Sequence, residues 1–375
     1  MNDLFSWYAG QRRAAPVSRD PSSGAWSVFS YADVKTVLSD FSRFSSQRGR
    51  GRGSDNPQQA LADSLISTDP PRHRDLRALV EKAFTPRAVD ALAPRIAQLV
   101  NELLDGFDPH STHSTDFVRD FAVPLPVTVI AEILGVPASE RANFKRWSDA
   151  VIVGDPSGTR EMAAYFTRLL GERRAEGGGE DLISALLRAE EGGQQLSAQE
   201  LIGFCMLLLV AGNETTTNLL GNAVQVLSHH PEAREELAAN PALWPDAIEE
   251  VLRSRSPVQS MFRVAAQDTE LGGQLLQAGE WVVAWIGSAN HDEAQFERAG
   301  EFLPDRRPNR HLAFGNGIHF CLGAPLARLE ARLALEAVYA RFPHLQVHEG
   351  AVLRPIESSI VHGVRELPVR LKVSA

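Results

Sequence analysis

One cysteine in a glycine-spaced loop constrains this chain more than any other feature. Residues 313–326 read AFGNGIHFCLGAPL, and the helical pattern ARLEARLALEAV follows at once. Only 2 cysteines occur in 375 residues, so Cys321 has little prospect of a structural disulfide. Gly315 and Gly317 permit backbone conformations that a Cβ forbids, and close approach to a flat partner. The first turn of the following helix has unpaired N–H groups, and Leu322 and Gly323 are expected to aim theirs at the sulfur. Such donors favour thiolate over thiol, and thiolate is the metal-binding form. The plainer alternative is a turn before a buried helix, with Cys321 packed as a small apolar residue.

Composition narrows the classes. Hydrophobic residues make up 43% and charged residues 23%, the balance of an ordinary globular protein. The net charge of -9 argues against nucleic-acid binding, which calls for a basic face. The first residues, MNDLFSWYAGQRRAAPV, are too polar for a signal peptide or membrane anchor. The longest apolar run, IGFCMLLLVAG, is about half of what a bilayer span needs. A cytoplasmic protein is expected, and two unpaired cysteines suit a reducing compartment.

Helical periodicity dominates. Amphipathic patterns cover residues 33–38, 72–84, 86–104, 128–134, 139–153, 160–175, 181–189, 198–227, 231–239, 244–253 and 325–341. Strand patterns are fewer: 25–29 after the turn DPSSG, 280–286 after QAGE, and the terminal LPVRLKV, which alternates like an edge or hairpin strand. The expected fold class is mainly α with small β-sheets (α+β). Because the strands come from both ends of the chain, residues 1–375 are expected to close into one domain.

Two further segments carry chemistry. The longest helical pattern contains AGNETTT at 211–217, and three consecutive threonines are poor helix formers. A conflict of this kind often marks function, although the hydroxyls could simply bond back one turn and bend the helix. In EEVLR, Glu250 and Arg253 stand three apart on one helix face. In a solvated helix such a pair is worth only about 0.3–0.5 kcal/mol.

The spacing F-G-x-G-x-H-x-C-x-G resembles the haem-binding loop of the cytochrome P-450 family. The likeness extends through DPPRHRDLR, AGNETTT, EEVLR, SANHD and PDRRPNRHLAFGNGIHFCLG, and it is strongest to short soluble microbial members. The resemblance implies a haem-thiolate monooxygenase that inserts one oxygen atom from O2 into a small apolar organic substrate. Its cofactor would be haem b with Cys321 as axial thiolate, pushing electron density towards O–O cleavage. Phe314 and Gly315 would belong to the cofactor loop. His73, Arg77, Arg263 and His319 would meet the haem propionates, with His311 a weaker candidate. Met261 stands where some compact relatives have a hydroxyl, and it cannot donate. Glu214 and Thr215 would be the acid and the alcohol of a proton relay, on a helix whose backbone loosens over the haem. Thr216 would face the helix interior and Asn213 another helix. The Glu250–Arg253 pair would be buried beneath the cysteine loop.

The same resemblance places the substrate pocket along residues 47–65, 152–160, 208–216, 257–262 and 360–361. It implies no fused reductase, so electrons would come from a ferredoxin or flavodoxin-like donor. That donor would meet Arg72, Arg74, Lys82, Arg310 and Arg328. The expected form is a monomer. Two rivals differ in what they need. A peroxide-driven enzyme needs no acid–alcohol relay, and a haem carrier or gas sensor needs a second histidine or methionine ligand, or an output domain.

Overall fold

The computed structural model describes residues 2–47, 64–108, 115–152, 155–177, 179, 181–191 and 196–371. Twelve helices of nine or more residues are found among them. They are α1 (Asn2–Ala14), α2 (Tyr31–Ser39), α3 (Arg72–Glu81), α4 (Ala93–Asp105), α5 (Pro124–Ile133), α6 (Arg141–Ile152), α7 (Pro156–Ala175), α8 (Leu182–Glu191), α9 (Ala198–His229), α10 (Pro231–Ala239), α11 (Trp244–Ser254) and α12 (Ala324–Arg341).

The ten strands among the described residues are short. β1 (Val17–Arg19), β2 (Trp26–Val28), β3 (Phe44–Ser45), β5 (Ser260–Ala265) and β8 (Trp281–Trp285) form one sheet in the order β1-β2-β8-β5-β3. This sheet joins the N-terminal part of the chain to residues 260–285, and β2 runs parallel to β8. A second sheet has the order β4 (Thr115–Asp116), β10 (Pro368–Arg370), β9 (Gln346–Val347). LPVRLKV therefore supplies a central strand and not the expected edge, because β10 pairs on both sides. The hairpin β6 (Thr269–Leu271) and β7 (Gln274–Leu276) turns on Gly272 and Gly273, both at positive φ.

The helical pattern at 86–104 is broken in two, Pro86–Asp90 and α4. Pro94 has no N–H to give the carbonyl one turn back, so the helix stops and restarts around it. α9 is the longest helix, at 32 residues, and begins with a capping box between Ser197 and Glu200. Glu200 also receives a fork from Arg72, 2.8 Å from Nε to Oε1, which ties α3 to the start of α9. The larger apolar core gathers around α9, with α4, α5, α7, α11 and α12 against it. A smaller core packs α2 on the five-stranded sheet. No helix among the described residues is long and apolar enough to cross a membrane.

Candidate haem site

The cysteine loop is built by backbone bonds and one close approach. Gly315 and Gly317 both lie at φ 74°. A Cβ on Gly317 would sit 2.7 Å from the Cα of Ser39, so only glycine lets the loop rest on the end of α2. The N–H of Cys321 donates to Phe314 O at 2.9 Å. The N–H groups directed at the sulfur are those of Gly323 and Ala324. Leu322 does not take part; the donors lie one residue later because α12 begins at Ala324 with Gly323 as its cap. Burial pushes the Cys321 thiol up, while these N–H groups and the guanidiniums of Arg77 and Arg328 act the other way. Cys321 nevertheless keeps accessible surface, whereas Cys205 is buried.

A helix stripe is open in the same manner. Along α9 the partly or fully accessible residues include Leu207, Leu208, Ala211 and Thr215, while residues 216–227 are all buried. Positions four apart share one face, so an open stripe runs across the middle of an otherwise buried helix. Thr215 lies on it, with Oγ1 donating to Ala211 O at 2.7 Å. That is the back-bonded arrangement, and α9 stays helical through it: the loosened backbone expected here is not found. Gly212 instead lets α5 pack close, its absent Cβ lying 3.4 Å from Ile130 Cδ1.

Glu214 points away from that stripe. It is buried, and its Oε1 accepts from Asn218 Nδ2 at 3.1 Å. Burial raises its pKa, opposed by Lys145 and by the Asn218 bond, while Asp149 adds to the rise. Thr216 is buried. Thr217 donates to Ala122 O at 3.0 Å, and Asn213 accepts from it at 3.4 Å, so these two serve packing.

His73, Arg77, Arg263 and His319 come together. The imidazoles of His73 and His319 meet edge to face, 4.4 Å between centroids. Burial lowers the His319 pKa to about 3, with Arg263, His73 and Arg77 adding repulsion. His319 Nε2 also meets Ser46 Oγ at 2.9 Å. Arg77 clasps the cysteine loop, Nη1 donating to Phe320 O at 2.9 Å and Ile318 O at 3.1 Å. Asp69 is the nearby acid, 4.0 Å from His319, but it is already held by Ser45 Oγ and the Ser46 N–H. His73 Nε2 is buried without a hydrogen-bond partner among the described residues. Arg77 and Arg263 make the cluster cationic while burial favours the neutral form of both imidazoles; two guanidiniums with an orphaned ring nitrogen beside them fit the carboxylates of a bound group. Among the described residues no group of three or more His, Cys, Asp and Glu could hold a metal ion.

Behind the loop two ion-pair networks lock the helices. Glu250 and Arg253 are both 0% exposed. Arg253 forks onto Glu250 at 2.7 and 2.8 Å and donates to the carbonyls of Asn290, Ala299 and Glu301. Arg306, Asn309 and the N–H of Leu303 complete the shell of Glu250. The second network centres on Glu249, which accepts from Arg328 at 2.7 Å and meets His311 Nε2 at 3.0 Å. His311 is therefore turned to Glu249 and not to the cationic cluster. Arg328 also covers the Phe314 ring at 4.5 Å. The sequence offered little sign of Arg306, Asn309, Ser46 or Asp69, because their partners are distant in the chain.

The family model of cytochrome P-450 matches residues 160–241 and 242–373. This chain belongs to the cytochrome P-450 family. Cytochrome P-450 109 of Bacillus spizizenii is 43% identical, over 98% of this chain and 91% of its own. Erythromycin C-12 hydroxylase of Saccharopolyspora erythraea is 40% identical, over 98% and 94%. Among solved structures, CYP109E1 from Bacillus megaterium in complex with testosterone superposes with a TM-score of 0.94 at 44% identity, covering 99% of this chain and 98% of that one. The chain is thus a P-450 monooxygenase with the mainly helical P-450 fold, and the family's cofactor is haem held by a thiolate.

Of the pocket segments expected from the sequence, residues 48–63 and 153–154 lie outside the described residues. Ile360 is exposed, and Leu208, Met261, Phe262 and Val361 are half-buried. A separate cavity of about 350 Å³, lined by Phe84, Val89, Ile96, Val129, Ile133 and Leu182 among others, shares no residue with these segments.

Proposed function

We propose that this P-450 oxidises a small apolar organic substrate, with haem b ligated by Cys321 and electrons from an external ferredoxin or flavodoxin-like protein. The observation that carries the reading is the cluster of His73, Arg77, Arg263 and His319, with an orphaned nitrogen, beside the accessible Cys321. Bound haem supplies the oxygen activation and transfer.

The protein's own residues do the rest. Gly323 and Ala324 stabilise the thiolate through their N–H groups. The cationic cluster holds the propionates, with Phe314 and Gly315 forming the bed of the loop. Leu207, Leu208 and Ala211 give substrate and O2 an apolar wall. The Thr215 hydroxyl is the proton donor on that wall, and it must leave the Ala211 carbonyl to serve. Glu214 holds the reserve proton one position away, its raised pKa keeping it protonated further towards neutral pH. Arg74, Lys82 and Arg310 are exposed and suit an acidic donor, whereas Arg72 and Arg328 are engaged by Glu200 and Glu249. The testosterone bound by the Bacillus megaterium relative supports an apolar substrate class. The protein is expected to act as a cytoplasmic monomer and as a single domain.

Turnover under isotopic O2 with a ferredoxin–reductase pair tests this. Testosterone, a fatty acid and a terpene serve as substrates. At least one should gain a single labelled oxygen, and E214Q and T215V should divert reducing equivalents from product to peroxide. Labelled product unchanged in both variants would overturn the relay, and turnover supported by peroxide alone, faster than with the donor, would replace the reading.

A further inference from the structure

The C-terminal segment reaches across to the acid. Gly363 is buried against α9, and a Cβ built on it would lie 1.8 Å from Oδ1 of Asn218, 2.6 Å from its Cγ and 3.2 Å from its Cβ. Asn218 itself is 3% exposed. Its Nδ2 donates to the Glu214 carboxyl at 3.1 Å and to the Glu214 carbonyl at 2.8 Å. Two acceptors on one side fix the amide's orientation, so its oxygen must face the other way, onto Gly363. One turn further, Asn222 Nδ2 donates to His362 O at 3.1 Å and to Arg255 O at 3.0 Å, clamping the segment to the helix. The same segment bridges to Val258 through Val361 and carries Ile360, an expected pocket residue.

We propose that Gly363 is a positioning residue for Glu214: its missing side chain is the seat that holds the Asn218 amide on the acid. The three atoms nearest a Cβ at 363 all belong to the Asn218 side chain, the closest being its amide oxygen. Alanine at 363 therefore swings the amide off Glu214. The groups facing Glu214 are then Lys145 and Asp149 from α6, with no amide between carboxyl and helix. The role of Glu214 as proton donor rests on the function proposed above; the seat itself does not.

The test is an infrared pH titration of the ferric holoenzyme, following the carboxyl band that E214Q abolishes. The Asn218 bond favours the charged form, so N218A and G363A should each move the titration to higher pH. In the N218A background, G363A should add no further shift. An unmoved band in N218A, or a G363A shift that persists in full without Asn218, overturns the proposal. Should G363A fail to fold, the double variant N218A/G363A decides: recovery places the clash at Asn218, and failure to recover removes Gly363 from the account. Electron coupling in E214Q separates the two ideas. Unchanged coupling together with shifted bands would end the relay and leave the seat standing.

Discussion

Glu330 is a buried carboxyl that no ion pair explains. It lies on α12, its Oε2 lacks a hydrogen-bond partner among the described residues, and burial pushes its pKa up to about 8. The sign follows from linkage: a folded-state pKa above the ordinary 4.5 costs nothing at lower pH, and stability falls as pH rises from 4.5 to 8. Glu330→Gln should flatten that slope and raise stability by about 3 kcal/mol at pH 7. Urea unfolding at pH 5 and pH 8 checks it, and parallel changes in both proteins would contradict it. Glu249 behaves oppositely. Burial alone would raise it, but the bonds from Arg328 and His311 outweigh that and hold it at about 2. Its contribution is present above pH 4.5 and is lost as pH falls towards 2, so Glu249→Gln should be most costly near neutrality and cost little in acid.

Helices carry the fixed geometry of this protein, and α11 shows how one element can be indispensable. Its Glu250 and Arg253 are fully buried, and removing Glu250 takes the one carboxylate away from two buried guanidiniums, Arg253 and Arg306. Glu250→Met should cost about 3–5 kcal/mol, read by urea unfolding; a cost below about 1 kcal/mol, that of a surface pair, would contradict a locking role. In sequence this pair was uninformative by itself, since three-apart charges are common, and only its place between the long helix and the cysteine loop spoke for it. The long helix was legible from periodicity and its Ser197–Glu200 cap, and the cysteine loop from its glycines. α1 was missed, because what holds it is remote: Tyr8 donates to Gln259 at 2.8 Å across 251 positions. The break before α4 was readable in Pro94 but outweighed by the apolar period. Asn218 stands four residues from Glu214 on the same helix, but Gly363 carries no local signal, since its meaning lies in a contact with a distant segment.

At the scale of the whole molecule, the five-stranded sheet and the clamp of residues 362–363 on α9 bring both ends of the chain to one centre. Charge reversal at Arg74, Lys82 and Arg310 should slow reduction by an acidic donor and weaken its salt dependence, with substrate binding unchanged; stopped-flow reduction at two ionic strengths measures this, and an unaltered rate would reject that face. The central claim is that Cys321 and the cationic cluster hold haem with its opposite face open beneath Ala211 and Thr215. Optical titration of the purified ferric protein with steroids, fatty acids, terpenes, aromatics and azoles tests it most directly. The expected result is a Soret band that shifts with azoles and with at least one apolar class, and is altered in Cys321→Ser. A protein without haem absorbance, or with a Soret band that no azole moves, would contradict it.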